Sequence, residues 1–287
     1  MSHSARRRAL IIAGSSVLAG FALVAPAYAA TSGHSAAAAP VAGPRTPTGA
    51  LVQPGGISHL VGPRTTHTGA RNSTTTGTNW SGYAATGGTY TSVSSTWTEP
   101  TGTCSSGDQY SSFWVGLDGY SSDSVEQAGS EVDCDGHTPE YYSWYEMYPA
   151  NPVNFSNTVK PGDKFTGSVT YPGGSSFTLK LSDTTEGWSH TVTKTLSGAA
   201  RSSAEVIAEA PCCTDSGEIL PLADFTKVSF TGATVDGSPI GNFNPVGIDM
   251  VSANAVQEDS ISSLTSGENF GATWLSSGNS RRGGPRG

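Results

Sequence analysis

From Tyr90 to Val251 the chain alternates between short runs of β-branched or alternating residues and clusters of turn residues. The runs are Tyr90–Thr98 (YTSVSSTWT), Ser111–Leu117, Tyr141–Tyr148, Lys164–Tyr171, Phe177–Leu181, Trp188–Leu196, Ser203–Glu209, Thr226–Phe230 and Val246–Val251. Period-2 patterning over such lengths predicts strands. Pro161-Gly162-Asp163, Pro172-Gly173-Gly174 and Asp236-Gly237 are turn signals between them. Helical periodicity is absent. Many short strands at this spacing predict an all-β domain, either a sandwich or a closed barrel.

In several runs the alternation gathers unusual residues. In AEVIAE (Ala204–Glu209), Glu205, Ile207 and Glu209 share one side of a strand, and Val206 and Ala208 share the other. Two acids flanking an isoleucine suit a core poorly. YSWYEMYP places Trp144, Glu146 and Tyr148 on one side, and Trp114 lies on a strand leading to Asp118. Acids beside aromatics on several strands would line a substrate cleft. An ordinary exposed polar face is the plainer alternative.

The ends of the chain change the picture. Arg6, Arg7 and Arg8 precede an apolar stretch, Ala9 to Val24, and Ala27-Tyr28-Ala29 is a small-x-small cleavage pattern. This predicts a signal peptide over 1–29, hence secretion, with no membrane attachment once it is removed. Residues 30–76 are Ala, Pro, Gly, Thr and Ser with scattered Arg and His. That composition buries too little apolar surface to fold, and reads as a disordered basic pro-segment or linker. The β domain is expected over 77–275, with a disordered tail at 276–287.

Charge divides along the same boundaries. The body carries all 23 acids and six basic residues, a formal −17, while the two ends carry nine Arg and no acid. Such a body disfavours nucleic acid. It suits a zymogen whose basic leader separates as carboxylates protonate; an acidic domain with an arbitrary linker fits the charge equally well. Cys104, Cys134, Cys212 and Cys213 predict disulfides in an oxidising compartment, with three pairings open. Their spacing matches no zinc pattern, and no metal or other cofactor is expected.

Familiar hydrolytic motifs are missing. There is no GxSxG elbow, no paired Asp-Thr/Ser-Gly signature and no phosphate-binding Gly-Lys-Ser/Thr. His137 lies in a Cys/Asp/Gly loop and His190 in mid-strand among Thr and Ser, and neither suits a serine triad.

Five segments in order carry a resemblance: NWSGY (Asn79–Tyr83), WVGLDG (Trp114–Gly119), QAG (Gln127–Gly129), WYEMYP (Trp144–Pro149) and AEVIAE (Ala204–Glu209). Together they resemble the glutamic peptidases, or eqolisins, over nearly the whole body. The resemblance implies a curved antiparallel β-sandwich of two packed sheets, concanavalin- or jelly-roll-like, with a concave substrate cleft. It implies an acid endopeptidase acting on polypeptides as a monomer, with Gln127 and Glu209 catalytic. Trp80, Trp114, Asp118, Trp144, Glu146 and Tyr148 fall on the family's substrate-cleft positions. In this reading Glu209 is general base and then acid, with a pKa not strongly raised, and Gln127 binds the oxyanion. Three positions depart from the family pattern: Glu131 and Tyr142 each replace an Asp, and Ala210 follows the catalytic Glu where an acid is common. The rival readings are a glycoside hydrolase using Glu146 and Glu209, and a non-catalytic carbohydrate-binding sandwich with Trp80 and Trp114 stacking on sugars.

Overall fold

The computed structural model describes residues 74–105, 107–212 and 218–278. The expected signal peptide, nearly all of the expected pro-segment, Cys213 and residues 279–287 lie outside the described residues. The described residues form sixteen strands: β1 Thr74–Gly77, β2 Trp80–Thr86, β3 Ser92–Thr98, β4 Gln109–Leu117, β5 Val125–Asp135, β6 Thr138–Tyr148, β7 Val153–Asn154 and β8 Lys164–Gly173. They continue with β9 Ser176–Asp183, β10 Trp188–Thr195, β11 Ser203–Glu209, β12 Lys227–Val235, β13 Ser238–Pro239, β14 Val246–Met250, β15 Asp259–Ile261 and β16 Phe270–Trp274. The first of these starts three residues before the expected start of the body.

The strands form two sheets. The first runs β1-β14-β2-β11-β4-β5-β6-β7, and the second runs β10-β9-β8-β3-β12-β16-β15 with β13 paired to β12. Among the described residues, these strands pair with one another antiparallel except β1 with β14. The β12–β13 turn is the Asp-Gly read from sequence. Asp236 and Gly237 both have positive φ (48° and 74°), as a type I′ hairpin turn requires.

The core lies between the sheets. From the first sheet it takes Phe113, Val115, Ala128, Val132, Val206 and Ala208; the second supplies Trp97, Phe165, Val169, Leu179 and Phe230. Trp97 stacks on Phe165 with centroids 5.8 Å apart. Gly167 makes room for it, because a Cβ there would lie 2.9 Å from the indole Cη2. A polar chain also joins the sheets: Trp97 Nε1 donates to Ser130 Oγ at 2.8 Å, and Ser130 Oγ donates to Glu99 Oε2. Of the three possible cysteine pairings, Cys104–Cys134 is formed, and Cys212 is also disulfide-bonded.

Candidate active site

Every nominated residue except Asp118 projects from the face of the first sheet that points away from the inter-sheet core. The register sets them in three successive rows. Running from β2 through β11, β4 and β5 to β6, the first is Trp80, Glu209, Ser112, Glu131, Tyr142. The second is Gly82, Ile207, Trp114, Gly129, Trp144, and the third is Ala84, Glu205, Gly116, Gln127, Glu146. The alternation read from AEVIAE and YSWYEMYP is therefore realised: Val206 and Ala208 enter the core, while Glu205, Ile207 and Glu209 take the opposite face.

Gln127 and Glu209 do not face each other from opposing strands. They lie in one sheet, on β5 and β11, with β4 between them and an offset of two rows. Trp114 occupies the middle row of the middle strand and spans the diagonal. Its Nε1 donates to Glu209 Oε2 at 2.7 Å. Its Cζ3 edge lies over Gly116, where an added Cβ would come within 2.8 Å of that edge and 3.2 Å of Gln127 Cβ. Glycine at 116 thus lets the indole reach across toward Gln127. Trp80 meets Trp114 edge to face, with centroids 4.9 Å apart.

Glu209 is completely buried and receives a second donor, Asn79 Nδ2, on Oε1 at 3.1 Å. In the sequence Asn79 stands out only as the first residue of NWSGY, and the signal for its role is its adjacency to Trp80, which pairs with Glu209. Burial pushes the Glu209 pKa well above the ordinary carboxylate value, and outweighs the opposing N–H groups of Trp114, Trp80 and Asn79. This differs from the expectation of a Glu209 held near its usual value. The Trp80 Nε1 contributes from outside hydrogen-bonding geometry.

The Gln127 Nε2 donates to Glu146 Oε2 at 2.8 Å, and its Oε1 has no hydrogen-bond partner. Trp144 is fully buried and Tyr148 half-buried, and both pack with Trp80, Trp114, Val125, Ile207 and Ile248 in an apolar cluster on this face. Asp118 is differently employed. Its carboxylate accepts from Arg201 N at 2.6 Å, Ser202 N at 2.8 Å and Ser122 Oγ at 3.1 Å, which ties the β4–β5 loop to the segment before β11.

More acids share the region. Tyr142 Oη donates to Asp133 Oδ2 at 2.7 Å, and burial raises the pKa values of both Glu131 and Asp133. Burial also raises Glu205, and outweighs the Ser203 hydroxyl and Tyr120 N–H, which lie nearby but outside hydrogen-bonding geometry to its two oxygens. A cavity of about 450 Å³, lined by Thr78, Leu220, Asn254 and Glu258 among others, includes none of the eight nominated residues. The arrangement on the sheet face offers one carboxyl held by neutral N–H donors, one primary amide and a floor of tryptophans. That set suits proton transfer to and from water beside a polarised carbonyl.

Known proteins place the fold. The Peptidase A4 family pattern matches residues 78–274. Scytalido-glutamic peptidase, solved with a transition state analog inhibitor, superposes with a TM-score of 0.62 at 26% identity, covering 70% of this chain and 100% of that one. SCP-B, an eqolisin solved with the tripeptide Ala-Ile-His, gives 0.58 at 25% identity with the same coverage. Aspergilloglutamic peptidase from Aspergillus niger gives 0.50 at 26% identity, covering 58% of this chain and 99% of that one. No curated protein sequence matches the chain. Fold and comparisons define a β-sandwich endopeptidase of the glutamic type. The chain belongs to the Peptidase A4, or eqolisin, family.

Proposed function

We propose that this chain is a secreted, acid-active endopeptidase in which Glu209 and Gln127 divide the chemistry. Ionised Glu209 takes a proton from water as the water oxygen bonds to the scissile carbonyl carbon. An N–H of Gln127 donates to the oxyanion that forms. Glu209 then delivers its proton to the leaving nitrogen as the C–N bond breaks. The water oxygen ends on the new carboxyl group and the proton on the new amine.

The observation that carries this reading is the Glu209 carboxyl, held by the neutral donors Asn79 and Trp114 on the same face as the Gln127 amide. Neutral donors keep their strength at any pH. A reacting water must touch Glu209, so the working site is wetter than this buried arrangement. With desolvation relieved, the same donors lower the carboxyl's pKa and favour a base in acid. The leader at 1–29 supports secretion, and the contrast between the acidic body and residues 30–76 supports a pro-segment as an intramolecular partner.

Digestion of an acid-denatured protein from pH 2 to 7, with pepstatin present, tests the assignment. Processed wild type should cleave in acid, and Glu209→Gln should lose about 10³-fold or more in kcat/KM. Cleavage that persists in Glu209→Gln would assign the base elsewhere.

A further inference from the structure

We infer that Glu146 is a positioning residue for Gln127, fixing which end of the amide meets the reacting carbonyl. The inference rests on the reading of Gln127 as oxyanion donor and adds a second group to it. Gln127 and Glu146 are direct cross-strand partners on β5 and β6, on the same face and fully buried. Their side chains meet at 2.8 Å through Gln127 Nε2 and Glu146 Oε2.

A primary amide is nearly symmetric in shape, and half a turn about its last torsion exchanges donor and acceptor. For oxyanion binding the two orientations are opposites. One presents an N–H to the developing charge; the other presents oxygen lone pairs and repels it. Gln127 lacks a fixed partner on its oxygen side, since Oε1 has none. On the remaining flank of its row stands Gly116, which has no side chain to bond with. The orientation is therefore set from β6. The acceptor oxygen of Glu146 takes one amide N–H and leaves the second directed elsewhere, whereas a turned amide would set its own oxygen against that acceptor in a buried site. Glu146 prepares the donor without itself touching the reacting atoms.

A double-mutant cycle on processed enzyme tests this, with kcat and KM measured separately for Glu146→Ala, Gln127→Ala and the double variant. Losing an oxyanion donor costs about 10²–10³-fold in kcat. Glu146→Ala should lose about tenfold or more in kcat, with KM changed by less than about threefold. In the Gln127→Ala background it should cost less than about twofold. Glu146→Gln, nearly isosteric, still offers a carbonyl acceptor and should retain more activity than Glu146→Ala. Independent, multiplicative losses, or a change confined to KM, would overturn the positioning role while leaving Gln127 in place. Wild-type kcat in Gln127→Ala would instead remove the reading on which the inference rests. If Glu146→Ala fails to fold, Glu146→Gln carries the same cycle, and a full-sized loss in the Gln127→Ala background contradicts the inference.

Discussion

Burial alternates residue by residue in β3 and β9 of the second sheet, whereas β11 is buried along its whole length and β4 and β5 are buried at all but one terminal residue. The second sheet sends Val, Leu and Phe inward and turns hydroxyls outward. Thr96 and Thr166 meet through their Oγ1 atoms at 3.0 Å, and Ser182 and Ser189 through their Oγ atoms at 2.8 Å, on that outer face. The first sheet has the same apolar inner face but also buries its outer one, and there it places tryptophans among carboxyls. Burying acids without cations is unfavourable unless they hold protons. The outer face of the first sheet, to which the proposed chemistry is assigned, shares this cost with Glu99, Glu126 and Asp259 elsewhere in the sandwich.

The largest expected effect follows from acids buried elsewhere in the sandwich, on the core side of β5 and beside strands of the second sheet. Burial raises Glu126 and Glu258 to about 8, and raises Glu99 to about 8 despite its Ser130 bond. Asp259 is raised to about 7, chiefly by burial. Each is raised above an unfolded value near 4, so the folded state binds more protons between pH 4 and pH 8. Stability is then fully present below about pH 4 and is lost as pH rises toward 8. Urea midpoints measured at pH 4, 6 and 8 should fall in that order. A midpoint that rises with pH would contradict the burial of these acids in protonated form.

A single residue sharpens the point. Glu126 Oε1 and Oε2 are buried without hydrogen-bond partners. Glu126→Gln imitates its protonated form, so wild type and variant should match at pH 4. At pH 8 the variant should be the more stable, by about 1.4 kcal/mol for each unit of upward shift realised. Equal stability at both values would mean the site admits water.

Much of this contrast can be read in the chain, and its limits are physical. Strands that bury one face, such as Lys164–Tyr171 and Phe177–Leu181, announce themselves by alternation. So does AEVIAE, because its core side is apolar and its other side is not. The strand that carries Gln127 is hidden. Glu126, Gln127, Ser130, Glu131 and Asp133 put polar residues on both faces of β5, and all are buried. Periodicity has nothing to register there, and only the family resemblance singled out Gln127. Sequence also missed Asn79, whose role depends on the β2–β11 register, and Glu146's contact with Gln127, which depends on β5–β6 pairing.

Smaller effects separate the faces further. Asn79→Ala removes a donor that favours ionised Glu209, so the Glu209 pKa should rise. The acid limb of the kcat/KM profile should move to higher pH, and an unmoved limb would detach Asn79 from the base. Smallest of all, Thr166→Ala on the outer face of the second sheet should change stability by no more than about 0.5 kcal/mol. A larger loss would show that its contact with Thr96 matters more than its half-exposed position implies.

The most direct test uses the two acids that share β11's outer face. Glu209 touches Asn79 and Trp114, while Glu205, two rows away beside Gly116, has no hydrogen-bond partner. Glu209→Gln and Glu205→Gln should be compared for kcat/KM at pH 4 after both are shown to be folded. The account predicts a loss of about 10³-fold or more for Glu209→Gln and less than about tenfold for Glu205→Gln. The reverse ranking would place the base in the wrong row and contradict the assignment.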